Sequence, residues 1–154
     1  MKNKKIKLLL LLVIVFLLID QFSKILVLSF NNISFGVLKI EVVYNTGIAF
    51  GIGASNLYNA VLVFLVICVI VNFAYSQRDK IDNRTIMVLS MIISGGIGNL
   101  IDRIFRGGVL DFIKIANFPI FNLADVFIVV GWFLLICNLL GFFVKDFYNI
   151  KENK

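Results

Sequence analysis

Apolar residues fall into four long runs separated by short polar segments, covering roughly 8–29, 57–76, 86–106 and 123–144. A bilayer core takes about 20 helical residues to cross, so each run is long enough to span it. The pattern predicts four transmembrane helices in one integral-membrane domain covering residues 1–154, with no internal repeat. The start, "MKNKKIKLLLLLVIVFLLID", has the basic head and the twelve-residue apolar core (Leu8–Ile19) of a secretory signal. No small-x-small site follows, and the apolar run resumes at Ile25 after "DQFSK", so this segment reads as an uncleaved first span.

Between spans one and two, "SFGVLKIEVVYNTGIAFGIG" mixes β-branched and aromatic residues with glycines, which suits short strands better than helix. The prediction is therefore a membrane all-α protein carrying a small extracytoplasmic β-sheet in the outer loop 30–56. The second outer connection, 107–122, holds Gly107-Gly108 and Pro119 and reads as the turn joining spans three and four.

Composition agrees with a bilayer setting. The chain is 60% hydrophobic with a mean hydropathy of +1.00, where soluble domains run at about 45–50% apolar. The net charge of +6 would suggest nucleic acid in a soluble protein. Here ten bases (Lys2, Lys4, Lys5, Lys7, Arg78, Lys80, Arg84, Lys145, Lys151 and Lys154) flank one side of the spans, against only Lys39 and Lys114 on the other. That asymmetry predicts both termini in the cytoplasm, outer loops 30–56 and 107–122, and no nucleic-acid partner.

Cys68 and Cys137 sit alone in apolar runs and read as small core residues. The chain has no His, which removes His-dependent zinc sites, Ser-His-Asp triads and Cys-His dyads. No cluster of metal ligands or cofactor motif is visible.

Of the acidic residues, Asp79, Asp82, Asp146 and Glu152 fall in cytoplasmic segments and Glu41 in the outer loop, where solvated charge suffices. Asp20, Asp102, Asp111 and Asp125 remain. At about 1.5 Å per residue, Asp20 lies roughly 18 Å into its span, Asn99 about 20 Å and Asp102 about 24 Å. Asp111 follows the outer end of span three and Asp125 opens span four. All gather in the outer half of the membrane. Helical spacing puts Asp20 with Ser23 and Lys24, Asn99 with Asp102 and Arg103, and Asn122 with Asp125. A buried intramembrane charge costs about 2.5–3.5 kcal/mol, so these faces should point at one another.

Structural roles compete for some of them. Asp102–Arg103 and Asp20–Lys24 could be ion pairs that lock helices, and Asn99 and Asn122 could be interhelical hydrogen-bond partners. Asp111 and Asp125 lack a basic neighbour at helical spacing and read as functional. Ser23 and Lys24 diverge by about 100° on a helix, which disfavours a Ser-Lys dyad. Two carboxyls held close share one proton, the ionised member drawing a proton from water and the other donating to a carbonyl.

The blocks "DQFSK" (20–24), "NTGIAF" (45–50), "GNLIDR" (98–103), "GVLDF" (108–112) and "FNLAD" (121–125) together resemble, in order and position, those of lipoprotein signal peptidase, the type II signal peptidase of bacteria. The resemblance implies an aspartyl endopeptidase of the bacterial cytoplasmic membrane, its site near the outer face. Its substrates would be prolipoproteins, cut just before a diacylglyceryl-modified cysteine. It implies Asp111 and Asp125 as the catalytic pair. Asn45, Gly47, Asn99, Arg103 and Asn122 would line the site and bind substrate, Asp20 and Lys24 would support its outer wall as part of the binding region, and Asp102 would be structural. No cofactor or metal is implied, the partners are lipidated prolipoproteins and membrane lipid, and a monomer suffices. Leu110 stands where the family usually has Val, a conservative change. Phe50, Phe112 and Phe121 could pack against peptide or acyl chain, or simply face lipid. The rival readings are a small proton-coupled transporter or channel, which should carry polar groups at several depths, and an assembly subunit whose charges only pair helices.

Overall fold

The computed structural model describes residues 2–30, 33–47 and 56–152, and within these all side chains but those of residues 2, 3, 139 and 142–152. Four helices form as the apolar runs dictate: α1 (Lys2–Val27), α2 (Asn56–Ser76), α3 (Asn83–Phe105) and α4 (Leu123–Glu152). Three of them, α1 to α3, are long and apolar enough to cross a membrane, and the apolar part of α4 among described residues is Leu123–Asn138.

The central helix is α3, with 72% of its most apolar stretch buried, against 17% for α1 and for α2. The outer faces of α1, α2 and α4 present large side chains such as Leu18, Phe22, Leu57, Val69, Val129 and Phe133. In water such a surface would drive aggregation; in a bilayer lipid tails cover it. Cys68 and Cys137 lie on these exposed faces and are free thiols, so the expectation that they are core residues is corrected. A helix that is apolar all round gives no signal for which side meets lipid and which meets protein.

Helix ends fix the topology. Asp82 caps α3, its carboxylate accepting from Thr85 N–H at 2.8 Å. Beyond the C-cap residue Arg106, Gly107 takes φ +76°, a left-handed conformation that stops the helix at little cost. Lys5 Nζ donates to Ile81 O at 2.7 Å and Asn138 Nδ2 to Thr85 Oγ1 at 3.1 Å. The N-terminal end of α1, the turn before α3 and the far part of α4 therefore share one side, and the sheet lies at the other.

That sheet has three antiparallel strands in the order β1 (Ile33–Phe35), β2 (Leu38–Asn45) and β3 (Val109–Ile115). The third strand corrects the reading of 107–122 as a plain turn. β3 pairs with β2 through Val43–Asp111 and Asn45–Val109, after a register irregularity between Ile40 and Val43. Val27, Leu110 and Phe112 form a small core beneath it, so the sheet is seated on the ends of the helices.

Candidate active site

Asp111 lies on β3, and the chain then doubles back through residues 116–120. Phe121 O accepts from Phe112 N–H and Ile113 N–H at 3.0 and 2.8 Å, and Phe121 N–H donates to Ile113 O at 3.0 Å. This narrow hairpin returns the backbone beside β3 just before α4 begins. It sets Asn122 against Asp111, eleven residues earlier, with Asn122 Nδ2 donating to Asp111 Oδ1 at 2.6 Å.

Asn122 is also the cap of α4. Its Oδ1 accepts from Asp125 N–H at 3.0 Å, while Asp125 Oδ2 accepts from Asn122 N–H at 3.1 Å. This reciprocal pair is a capping box built with Asn and Asp. The spacing read from "FNLAD" as a shared helical face is thus a helix start. Asp125 sits in the first turn, where the helix dipole favours negative charge. Asn99 Nδ2 donates to its Oδ1 at 2.8 Å, and Asn122 Nδ2 is within 3.2 Å of Asn99 Oδ1.

One asparagine therefore touches both carboxyl groups. Asn45 adds a bond from Nδ2 to Asp111 Oδ2 at 3.1 Å. Asp111 is buried and Asp125 half-buried. Burial pushes the Asp111 carboxyl up to about 6; the Asn45 amide opposes this and the charge of Asp125 adds to it. The two groups are close enough to act on each other electrostatically, and their environments differ.

Arg103 borders the cluster from α3. It donates to Asn99 O at 3.3 Å and to Gly47 O at 3.1 Å, and its buried Nε has no hydrogen-bond partner among the described residues. Gly47 N–H in turn donates to Asn45 Oδ1 at 2.9 Å. The structure thus brings Asn45, Gly47, Asn99, Arg103, Asp111, Asn122 and Asp125 together. Phe112 is buried under the sheet and Phe121 stacks edge-on with Phe118. Phe50 and the rest of the loop 48–55 lie outside the described residues.

Asp20, Lys24 and Asp102 are fully buried behind this cluster. The expected Asp20–Lys24 pair forms, at 2.9 Å. Asp102 does not pair with Arg103; it binds Lys24 at 2.8 Å and also Arg106. Adjacent helical residues diverge by about 100°, and the correct partner was available four residues on. Gln21, which sequence reasoning passed over, joins the group by accepting from Arg106 Nη1 at 3.1 Å. Gly98 makes the approach possible, because a Cβ there would collide with the Asp20 carboxylate. Among the described residues, no three His, Cys, Asp or Glu side chains cluster so as to hold a metal ion.

A family model described as signal peptidase (SPase) II matches residues 12–141. The chain is similar to the lipoprotein signal peptidase of Wigglesworthia glossinidia brevipalpis, 37% identical over 88% of this chain and 95% of that one. It is similar as well to that of Borrelia duttonii, at 34% over 82% and 85%, and of Halalkalibacterium halodurans, at 32% over 92% and 94%. Among solved structures, a bacterial membrane enzyme determined by the in meso method at 2.3 Å superposes with a TM-score of 0.77, 25% identity and coverage of 86% and 87%. A second, at 1.9 Å, gives 0.74, 27%, 86% and 92%.

Proposed function

The chain belongs to the signal peptidase II family, and from that membership we propose that it removes the signal peptide from diacylglyceryl-modified prolipoproteins, cutting before the lipidated cysteine with water activated by Asp111 and Asp125. It is a multi-pass membrane peptidase. The observation that carries the aspartyl mechanism is the bridge through Asn122, bonded to Asp111 by its side chain and to Asp125 by its backbone.

The environments divide the labour. Asp125, half-buried at a helix start, acts as the base and takes a proton from water as the water oxygen attacks the scissile carbonyl carbon. Asp111, buried, holds the proton of the pair and donates it to the carbonyl oxygen. The resulting gem-diol collapses as the C–N bond breaks. The departing nitrogen takes the proton from Asp125, and a hydroxyl of the gem-diol returns one to Asp111. Both carboxyls finish as they began, with one water consumed. Arg103 Nε, buried beside the pair, is a ready donor for a substrate carbonyl.

The setting suits the substrate. A signal peptide enters the membrane as an apolar helix, and its lipidated cysteine fixes the scissile bond at one depth. The base asymmetry supports placing both termini in the cytoplasm, which sets the site at the outer face; a monomer is sufficient for the chemistry. The test is incubation of the detergent-purified protein with a synthetic prolipoprotein peptide, with and without diacylglycerol on the cysteine. Mass spectrometry should find two products divided immediately before the lipidated cysteine. No cleavage, or cleavage elsewhere, would refute the assignment.

A further inference from the structure

We propose that Lys24 sets the separation of Asp111 and Asp125 by clamping Asp20 and Asp102, each of which holds the backbone just ahead of one of them. The inference rests on the aspartyl peptidase reading and assigns a role within it.

Lys24 Nζ lies 2.9 Å from Asp20 Oδ2, 2.8 Å from Asp102 Oδ2 and 3.3 Å from Asn99 Oδ1. The ammonium donates to Asp20 and Asn99 and is ion-paired with Asp102, so it is turned into the protein and held by three partners. The two carboxylates make further contacts that reach the active site. Asp20 Oδ1 accepts from Ala124 N–H at 3.0 Å, and Ala124 precedes Asp125. Asp102 Oδ2 accepts from Leu110 N–H at 3.1 Å, and Leu110 precedes Asp111. One cation thus joins two arms, one ending at the start of α4 and the other on β3.

Lys24, Asp20 and Asp102 are each 0% exposed. A buried ion pair is a weak source of stability, since apolar residues of similar volume often do as well or better. What such a cluster supplies is directionality. Between α4 and β3, whose carboxyls must stand at one distance to share a proton, directionality is what the chemistry needs. The charged groups around the clamp are Asp20 on α1, Asp102, Arg103 and Arg106 on α3, Asp111 on β3 and Asp125 on α4. Lys24 touches neither Asp111 nor Asp125, so it is a positioning residue.

The test is the double variant D20N/K24M. It keeps the net charge and leaves an amide oxygen on α1 to accept from Ala124 N–H, but removes the link to Asp102. For folded protein, kcat should fall about 100-fold, as expected for a misplacement on the order of 1 Å, with KM changed less than about threefold. A kcat that falls only with the folded fraction, or a rise in KM with kcat intact, would overturn the proposal. If the double variant does not purify folded, Asp102→Asn takes its place, and the same readouts decide in the same way: it keeps an acceptor for Leu110 N–H but loses the anionic partner of Lys24. Asp111→Asn and Asp125→Asn run alongside separate the two readings. Activity in those variants sinks the peptidase mechanism itself; inactivity there with kcat per folded enzyme intact in the clamp variant sinks only the role of Lys24.

Discussion

Asn122 reaches Asp111 across a hairpin at 2.6 Å while its own Oδ1 caps α4 through Asp125 N–H at 3.0 Å. One side chain thereby performs two separable tasks. Asn122→Ala loses both, so it should cost about 1 kcal/mol of stability through the missing cap and about 100-fold in kcat through the lost alignment. Asn122→Ser retains a good cap but is too short to reach Asp111. It should melt near the wild-type temperature in detergent and yet share the kinetic defect. Equal losses of stability in the two variants would contradict this division.

The two carboxyls differ in environment, and pH should expose it. With the Asp111 carboxyl pushed up to about 6, the pair loses its shared proton as pH rises through that value. The kcat/KM of the free enzyme should then decline by up to about tenfold per pH unit above it. A flat profile from about pH 5 to 8 would tell against Asp111 as the acid.

The same shift bears on stability, with a sign opposite to that of most carboxylates. A raised folded-state value means the fold binds the proton more tightly than the unfolded chain does. The associated stability is full below the ordinary carboxylate range and is lost as pH rises through about 6. Asp111→Asn should therefore melt above wild type at about pH 7.5, the difference closing toward about pH 4. A variant that melts lower at the higher pH would show that the ionised carboxylate stabilises the fold.

Close packing of α3 on α1 depends on Gly98, where a Cβ would strike the Asp20 carboxylate. Gly98→Ala should destabilise by about 1–3 kcal/mol, the usual range for overpacking, and should lower activity, because Asp20 also holds Ala124 N–H. Thermal unfolding and the peptide assay read the two effects independently.

Much of the fold and site is legible in the sequence, and the misses have physical causes. Each apolar run falls on one helix, because hydropathy and length decide what can cross a bilayer, but α1 begins at Lys2 rather than residue 8 and α4 runs to Glu152 rather than residue 144. The convergence of Asp20, Asn99, Asp102 and Asp125 at one level follows from 1.5 Å per residue and the cost of a lone intramembrane charge. The strand Val109–Ile115 escapes notice because "VLDFIKI" is mostly buried at its start and gives no clean alternation. Asn122 and Asp125 at i, i+3 suit a helix face and a capping box equally, and only the position of the helix start decides between them. Cys68 and Cys137 defeat prediction because lipid and core are equally apolar.

With no three-ligand cluster among the described residues and a scheme that needs only two carboxyls and water, EDTA should leave turnover unchanged. Loss of activity in chelator, restored by zinc, would contradict this.

The most direct measurement is cleavage of the lipidated peptide by Asp111→Asn and Asp125→Asn, each first shown to be folded by its thermal transition in detergent. Each change keeps the side-chain shape but removes the group that gives or takes the proton. Product formation should fall by at least about 1,000-fold in both, within the range that positioned acid–base groups contribute. Activity within about tenfold of wild type in either folded variant would end the case for this pair.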